Sequence, residues 1–204
     1  MTQSPRNRKS PRKKEYDYRL TGSYFITICT HEREFLFGDV VDGTMQRTAL
    51  GEIAHDCWLT TSDHFPHVEV DCFVVMPNHI HAIIIIYDQQ QNSDENKIND
   101  ADVRNRHACS LPTPPIQPTT PTRGIYKNGR YIPPGAKSGS LGAIIGSYKS
   151  AVTKIANRTL ADPPSRLWQR FYHDRIIRNE KEFNMIRQYV LSNPARWSED
   201  RFNE

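Results

Sequence analysis

The stretch Met76-Pro77-Asn78-His79-Ile80-His81, with the apolar run Ala82-Ile83-Ile84-Ile85-Ile86-Tyr87 after it, constrains this chain more than any other feature. The run is rich in β-branched residues. It lies between a Pro-Asn pair and the polar tract Asp88-Gln89-Gln90-Gln91-Asn92, so it reads as a strand. Alternate side chains of a strand share a face. His79 and His81 therefore project side by side, followed by Ile83 and Ile85. Ile80, Ala82, Ile84 and Ile86 line the other face. Apolar residues on both faces require a central strand covered on both sides. Imidazoles placed there cost free energy unless each finds a partner. Two imidazoles at i and i+2 on a rigid strand can hold one metal ion; surface or packed histidines are the competing reading.

The neighbouring segments supply a sheet for that strand. Ser23 to Thr30 is aromatic and β-branched for most of its length and predicts a first strand. A loop with Gly38 and Gly43 follows. Residues 49–64 predict a helix, because Ala49, Leu50, Ile53, Ala54, Cys57, Trp58 and Thr61 keep a 3–4 spacing that Pro66 stops. Val68 to Met76 predicts a strand that turns at Pro77-Asn78 into the histidine strand. Ser140 is suited to cap a helix from Leu141 to about Arg158, with Leu141, Ile144, Ile145, Tyr148, Val152, Ile155 and Ala156 as its apolar stripe. Leu167 to Ile177 predicts the last strand. Glu180 to Leu191 predicts the last helix, with Phe183, Ile186, Val190 and Leu191 on one face, ended by Asn193-Pro194. The order β, α, β, β, α, β, α is that of an α+β, ferredoxin-like or RRM-like split βαβ domain: a central antiparallel sheet with two helices on one face, plus a C-terminal helix. The second face needs a cover, either that last helix or a dimer partner.

The domain plan is a basic flexible arm at 1–14, a core over 15–160, and a segment 161–204 that completes the domain with the last strand and helix. A stretch at about 88–140 interrupts the core. Residues 89–123 within it, Gln-, Asn- and Asp-rich and then Pro-rich, predict a disordered or mobile insertion. Net charge is +4, yet Arg6, Arg8, Lys9, Arg12, Lys13 and Lys14 all fall in the arm, leaving the remainder at −2. A basic arm ahead of a near-neutral body suits a polyanion, most simply nucleic acid; a solubilising tail is the alternative. No apolar run reaches the ~18 residues that span a membrane. Cys29, Cys57, Cys72 and Cys109 show no paired spacing. These features point to a cytoplasmic chain with no membrane partner.

His79-Ile80-His81 after the Met-Pro-Asn turn, with Ser147-Tyr148-Lys149-Ser150 on the later helix, resembles the HUH single-tyrosine transposases, and most closely the REP-associated tyrosine transposases. Tyr24 to Thr30, Trp168-Gln169-Arg170, Ile176-Ile177-Arg178-Asn179 and Asn193-Pro194 extend that resemblance over nearly the whole chain except 88–140. It implies the HUH endonuclease fold and a metal-dependent enzyme that nicks and rejoins single-stranded DNA through a 5′-phosphotyrosine. Hairpin-forming repeats would be its substrate. A domesticated hairpin-binding protein without cleavage is the alternative. Tyr148 would be the nucleophile, with Tyr172 as the fallback, and His79 and His81 would ligate Mg²⁺ or Mn²⁺. The family's third ligand usually stands about one turn beyond the tyrosine. Val152, which cannot bind a metal, stands there, leaving Thr153, Asn157 and Asp71 as alternatives. Lys149, Lys154, Trp168 and Arg170, with the arm's cations, would contact DNA. Monomer and homodimer both remain open.

Overall fold

The computed structural model describes residues 21–88, the backbone of 125–127 and 130–132, and residues 139–203. The basic arm at 1–14 and the expected insertion at 89–123 lie outside the described residues.

The first strand, β1 (Gly22–Cys29), enters a short 3-10 turn at His31–Arg33. The glycine-containing loop expected next is instead a hairpin, β2 (Gly38–Val41) and β3 (Thr44–Arg47). Its two-residue turn, Asp42-Gly43, has positive φ at both positions (52° and 71°), the Asp-Gly signature of a tight hairpin. Gly38 is forced by close approach: a Cβ there would lie 2.0 Å from the Gln46 carbonyl oxygen.

The helix expected over 49–64 divides into α1 (Ala49–Leu59) and α2 (Thr61–His64). Thr48 caps α1, accepting a hydrogen bond from the Gly51 N–H. The break falls where the Thr60 and Thr61 hydroxyls donate back to the Asp56 and Cys57 carbonyls and compete with the helical ladder.

Strands β4 (Val68–Met76) and β5 (His79–Ile86) form the expected hairpin around Pro77-Asn78, with a bulge at Asp71. Within the stretch at about 88–140 that interrupts the core, the backbone pairs as β6 (Ile125–Lys127) and β7 (Arg130–Ile132). Helix α3 (Leu141–Thr159) starts at the Ser140 cap as expected. The last strand is shorter than Leu167–Ile177: β8 spans only His173–Ile177, and Trp168 makes an isolated bridge to Thr30. The chain leaves the ladder in between, where Tyr172 turns into the core. Helix α4 (Glu180–Ser192) is capped by Asn179, which accepts from the Glu182 N–H at 2.9 Å.

The sheet is antiparallel in the order β4-β5-β1-β8, the split βαβ arrangement. One face carries Tyr24, Ile26 and Ile28 of β1 and Ile80, Ala82, Ile84 and Ile86 of β5, packed on α1 and α3. Each fully buried isoleucine there contributes about 1.5–3 kcal/mol. The opposite face is covered by α4 of the same chain. Val190, Phe183 and Ile186 pack on Cys72, Ile83, Ile177, Phe25 and Val74. Leu191 and Ile155, expected in the apolar stripes, are exposed. No described helix is long and apolar enough to cross a membrane.

Candidate functional site

His79 and His81 open β5, and its register fixes their surroundings. His79 lies between Met76 of β4 and Cys29 of β1, and His81 between Val74 and Thr27. Both belong to the face under α4, and both are buried (0% and 1% exposed). Their ring centroids are 4.5 Å apart.

Hydrogen bonds set the tautomer of His79. The Asn78 side chain donates from Nδ2 to the Phe202 carbonyl at 2.6 Å, which turns its Oδ1 toward His79 Nδ1 at 2.9 Å. That oxygen only accepts, so Nδ1 carries the proton and Nε2 presents a lone pair. His79 Nε2 is buried and has no hydrogen-bond partner among the described residues. His81 Nδ1 lies 2.9 Å from the Thr27 hydroxyl, and its Nε2 faces the phenol of Tyr189, 3.2 Å away on α4. Burial first, then the neighbouring His81 and the guanidiniums of Arg201 and Arg33, holds the His79 pKa well below its ordinary value. Burial lowers that of His81 to about 4, against the opposing pull of Asp200. Both rings are therefore neutral near pH 7, the form that ligates metals.

The third donor is Asp200, beyond the 3-10 segment Pro194–Glu199. Asn193 Nδ2 donates to its Oδ2 at 2.8 Å, and the Phe202 N–H donates to its Oδ1 at 2.8 Å. Ligand atoms of His79, His81 and Asp200 all lie within 4.8 Å of one another. Two imidazole nitrogens, one of them orphaned, and a carboxylate fit a divalent cation. Asp71, an alternative third ligand in the sequence, is instead directed at Arg187 of α4, 3.2 Å away. Thr153 is engaged on α3, donating to the Lys149 carbonyl and accepting from Trp168 Nε1.

Tyr189 completes the group. Its hydroxyl lies 3.4 Å from Asp200 Oδ2 as well as 3.2 Å from His81, and its ring meets Phe25 edge-on. Burial and the Asp200 carboxylate push the phenol above its ordinary pKa. It is partly exposed, so a substrate can approach from the open side.

Tyr148, expected as the nucleophile, lies on the sheet face opposite to the histidine pair. Tyr148 sits between the sheet and α1, stacked on Trp58 at 4.3 Å, with its hydroxyl donating to the Ala54 carbonyl at 2.9 Å. It belongs to the core cluster of Ile80 and Ala82, whose side chains leave β5 opposite to His79 and His81. Tyr172, the fallback, is buried in that same cluster. Trp168 is likewise drawn inward, its Nε1 donating to the Lys149 carbonyl at 3.1 Å and its ring packed near Phe37 and Tyr148. Lys149 reaches the Gln169 carbonyl at 2.9 Å. Arg170 is exposed over the Phe171 ring, and Lys154 is exposed on α3. Arg6, Arg8, Lys9, Arg12, Lys13 and Lys14 lie outside the described residues.

No family model matches this sequence. An uncharacterized protein of Haemophilus influenzae is 34% identical over 197 residues, covering 96% of this chain and 92% of its own length. Among solved structures, a REP-associated tyrosine transposase bound to a REP hairpin superposes with a TM-score of 0.51 at 14% identity, over 91% of this chain and 72% of that one. The chain thus belongs to one family with the Haemophilus protein and has the fold of a REP-associated tyrosine transposase.

Proposed function

We propose that this protein is a divalent-metal-dependent transposase-type nuclease that nicks and rejoins single-stranded DNA beside hairpin-forming repeats, with Tyr189 as the nucleophile. One observation carries the reading: the Tyr189 phenol oxygen stands 3.2 Å from His81 Nε2 and beside Asp200, within a cluster of three donors that fits a metal ion. The fold shared with a transposase bound to a hairpin supports the choice of substrate.

His79, His81 and Asp200 would hold Mg²⁺ or Mn²⁺, which supplies charge neutralisation for the scissile phosphate and a field that favours the phenolate. The Tyr189 oxygen attacks phosphorus, the bond to the 3′ oxygen breaks, and the phenolic proton ends on the departing 3′ oxygen. DNA is then joined through its 5′-phosphate to the protein. Rejoining is the reverse, with a 3′-hydroxyl attacking the phosphotyrosine. Phe25, against the Tyr189 ring, and Asn78, against His79, keep nucleophile and ligand oriented.

The test is incubation with single-stranded hairpin DNA and Mn²⁺, followed by denaturing gels and peptide mapping of any adduct. A covalent adduct on Tyr189 that Tyr189→Phe abolishes is expected. An adduct on Tyr148 or Tyr172 removes Tyr189 from the role. Cleavage without an adduct, or binding without cleavage, sinks the transposase reading.

A further inference from the structure

We propose that Arg33, Arg201 and Phe35 form a seat for a nucleotide next to the cleaved bond, the two guanidiniums holding its phosphate and the Phe35 ring stacking on its base. This rests on the nuclease reading above and names the residues that grip the strand.

The turn after β1 is built at a conformational cost. Glu32 and Arg33 both take left-handed φ values, 51° and 61°, which side chains with a Cβ rarely adopt. The turn sets the Arg33 guanidinium 5.0 Å from the Phe202 ring centroid, and Arg201 covers the same ring at 4.8 Å. Phe202 in turn lies 4.4 Å from the His79 ring. Two cations thus converge within a residue's width of the candidate metal ligands. Arg33 also donates to the Arg201 carbonyl at 3.5 Å, which ties the two segments together.

Neither guanidinium is in an ion pair among the described residues, whereas Arg47, Arg175, Arg187 and Arg196 each have a carboxylate within reach. Glu32 and Glu34 flank Arg33 but cluster with His31 instead. Two like charges on one ring repel each other, and a cation–π contact at an exposed site returns only about 0.5–1 kcal/mol. A phosphate between them removes the repulsion and adds charge-assisted hydrogen bonds.

Phe35 supplies the second half. It is 47% exposed, with its ring edge-on to Trp197 at 5.7 Å, and Trp197 lies 6.0 Å from His79. One side of Phe35 is thereby fixed and the other left open. An open aromatic ring beside paired cations is how proteins grip single-stranded nucleic acid with little sequence preference.

The experiment uses the full chain in a Tyr189→Phe background, so that binding is read apart from chemistry. Fluorescence anisotropy follows a labelled hairpin with a single-stranded flank across a salt series. Arg33→Ala and Arg201→Ala should each flatten the slope of log K against log salt by about 0.7, and Arg33→Lys should restore most of it. Phe35→Leu should weaken binding about 5- to 150-fold, the equivalent of 1–3 kcal/mol per stacked base. Affinities and slopes matching the parent in all three alanine and leucine variants overturn the seat. Adduct formation by the wild-type protein, assayed in parallel, reports on the nuclease reading separately.

Discussion

Replacing Tyr148 by Phe distinguishes a structural tyrosine from a chemical one. The hydroxyl donates to the Ala54 carbonyl at 2.9 Å in a fully buried setting, and the ring stacks on Trp58 at 4.3 Å. Removing one oxygen keeps the stack and the apolar area but deletes the hydrogen bond. The net loss for such a bond is about 1 kcal/mol, and Ala54 sits in a helix whose ladder offers its carbonyl a second donor. A chain of this length should therefore lose roughly 2–4 °C in Tm. Tyr148→Ala, which also empties the space under Trp58, should lose about 3–5 kcal/mol. Thermal unfolding followed by circular dichroism measures both, and the adduct gel is run on the same samples. Tyr148→Phe should form the phosphotyrosine adduct at the wild-type rate. Loss of the adduct with an unchanged Tm would refute the assignment of Tyr148 to the core and return it to the chemistry.

Two further outcomes follow from the histidine pair. In chelator, metal-free protein should lose stability as pH falls: the His81 pKa is about 4 when folded against 6.5 unfolded, so the neutral ring's contribution is intact above pH 6.5 and fades below it. His81 alone should account for about 2 kcal/mol between pH 7.5 and 5, with His79 acting in the same direction. Chemical denaturation of wild type and His81→Gln at both pH values checks this, and equal pH dependence in the two proteins would contradict it. Mn²⁺ should raise the Tm of the wild type and leave that of His79→Ala or Asp200→Asn unmoved; an equal rise in all three would remove these residues as ligands.

Much of the fold was legible because its signals are local. The alternation in β5, the Ser140 cap and the stripe Leu141, Ile144, Ile145, Tyr148, Val152 each report on neighbouring positions. Which sheet face the helices choose is not local. The parity held a clue: Thr27 and Cys29 in β1, like His79 and His81 in β5, mark the more polar side, while Tyr24, Ile26 and Ile28 match Ile80, Ala82 and Ile84 on the side that α1 and α3 cover. Tyr148, inside a stripe that packs on the apolar side, was therefore never positioned to meet the histidines. Tyr189 stands beside the apolar residues of α4, three places beyond Ile186, where it reads as packing until the partner strand is known. Asp200 follows an irregular turn with no periodicity; local bonds from Asn193 and Phe202 orient its carboxylate, and the long-range bond from Asn78 to the Phe202 carbonyl holds that segment beside the histidines. The Asp42-Gly43 hairpin did carry its own signature.

The donors of the candidate site are unevenly spread along the chain, and synthesis makes that a matter of timing. A ribosome delivers His79 and His81, with the strands and α1 that surround them, well before Tyr189 and Asp200. Until the last segment folds back, Asn78 lacks the Phe202 carbonyl that orients its amide, so the lone pair of His79 is not yet aimed. Nascent protein can therefore assemble the α1–α3 side of its sheet with the candidate site incomplete, and Tyr189, Asp200 and the carbonyl that orients Asn78 arrive together as the stretch 189–202 docks.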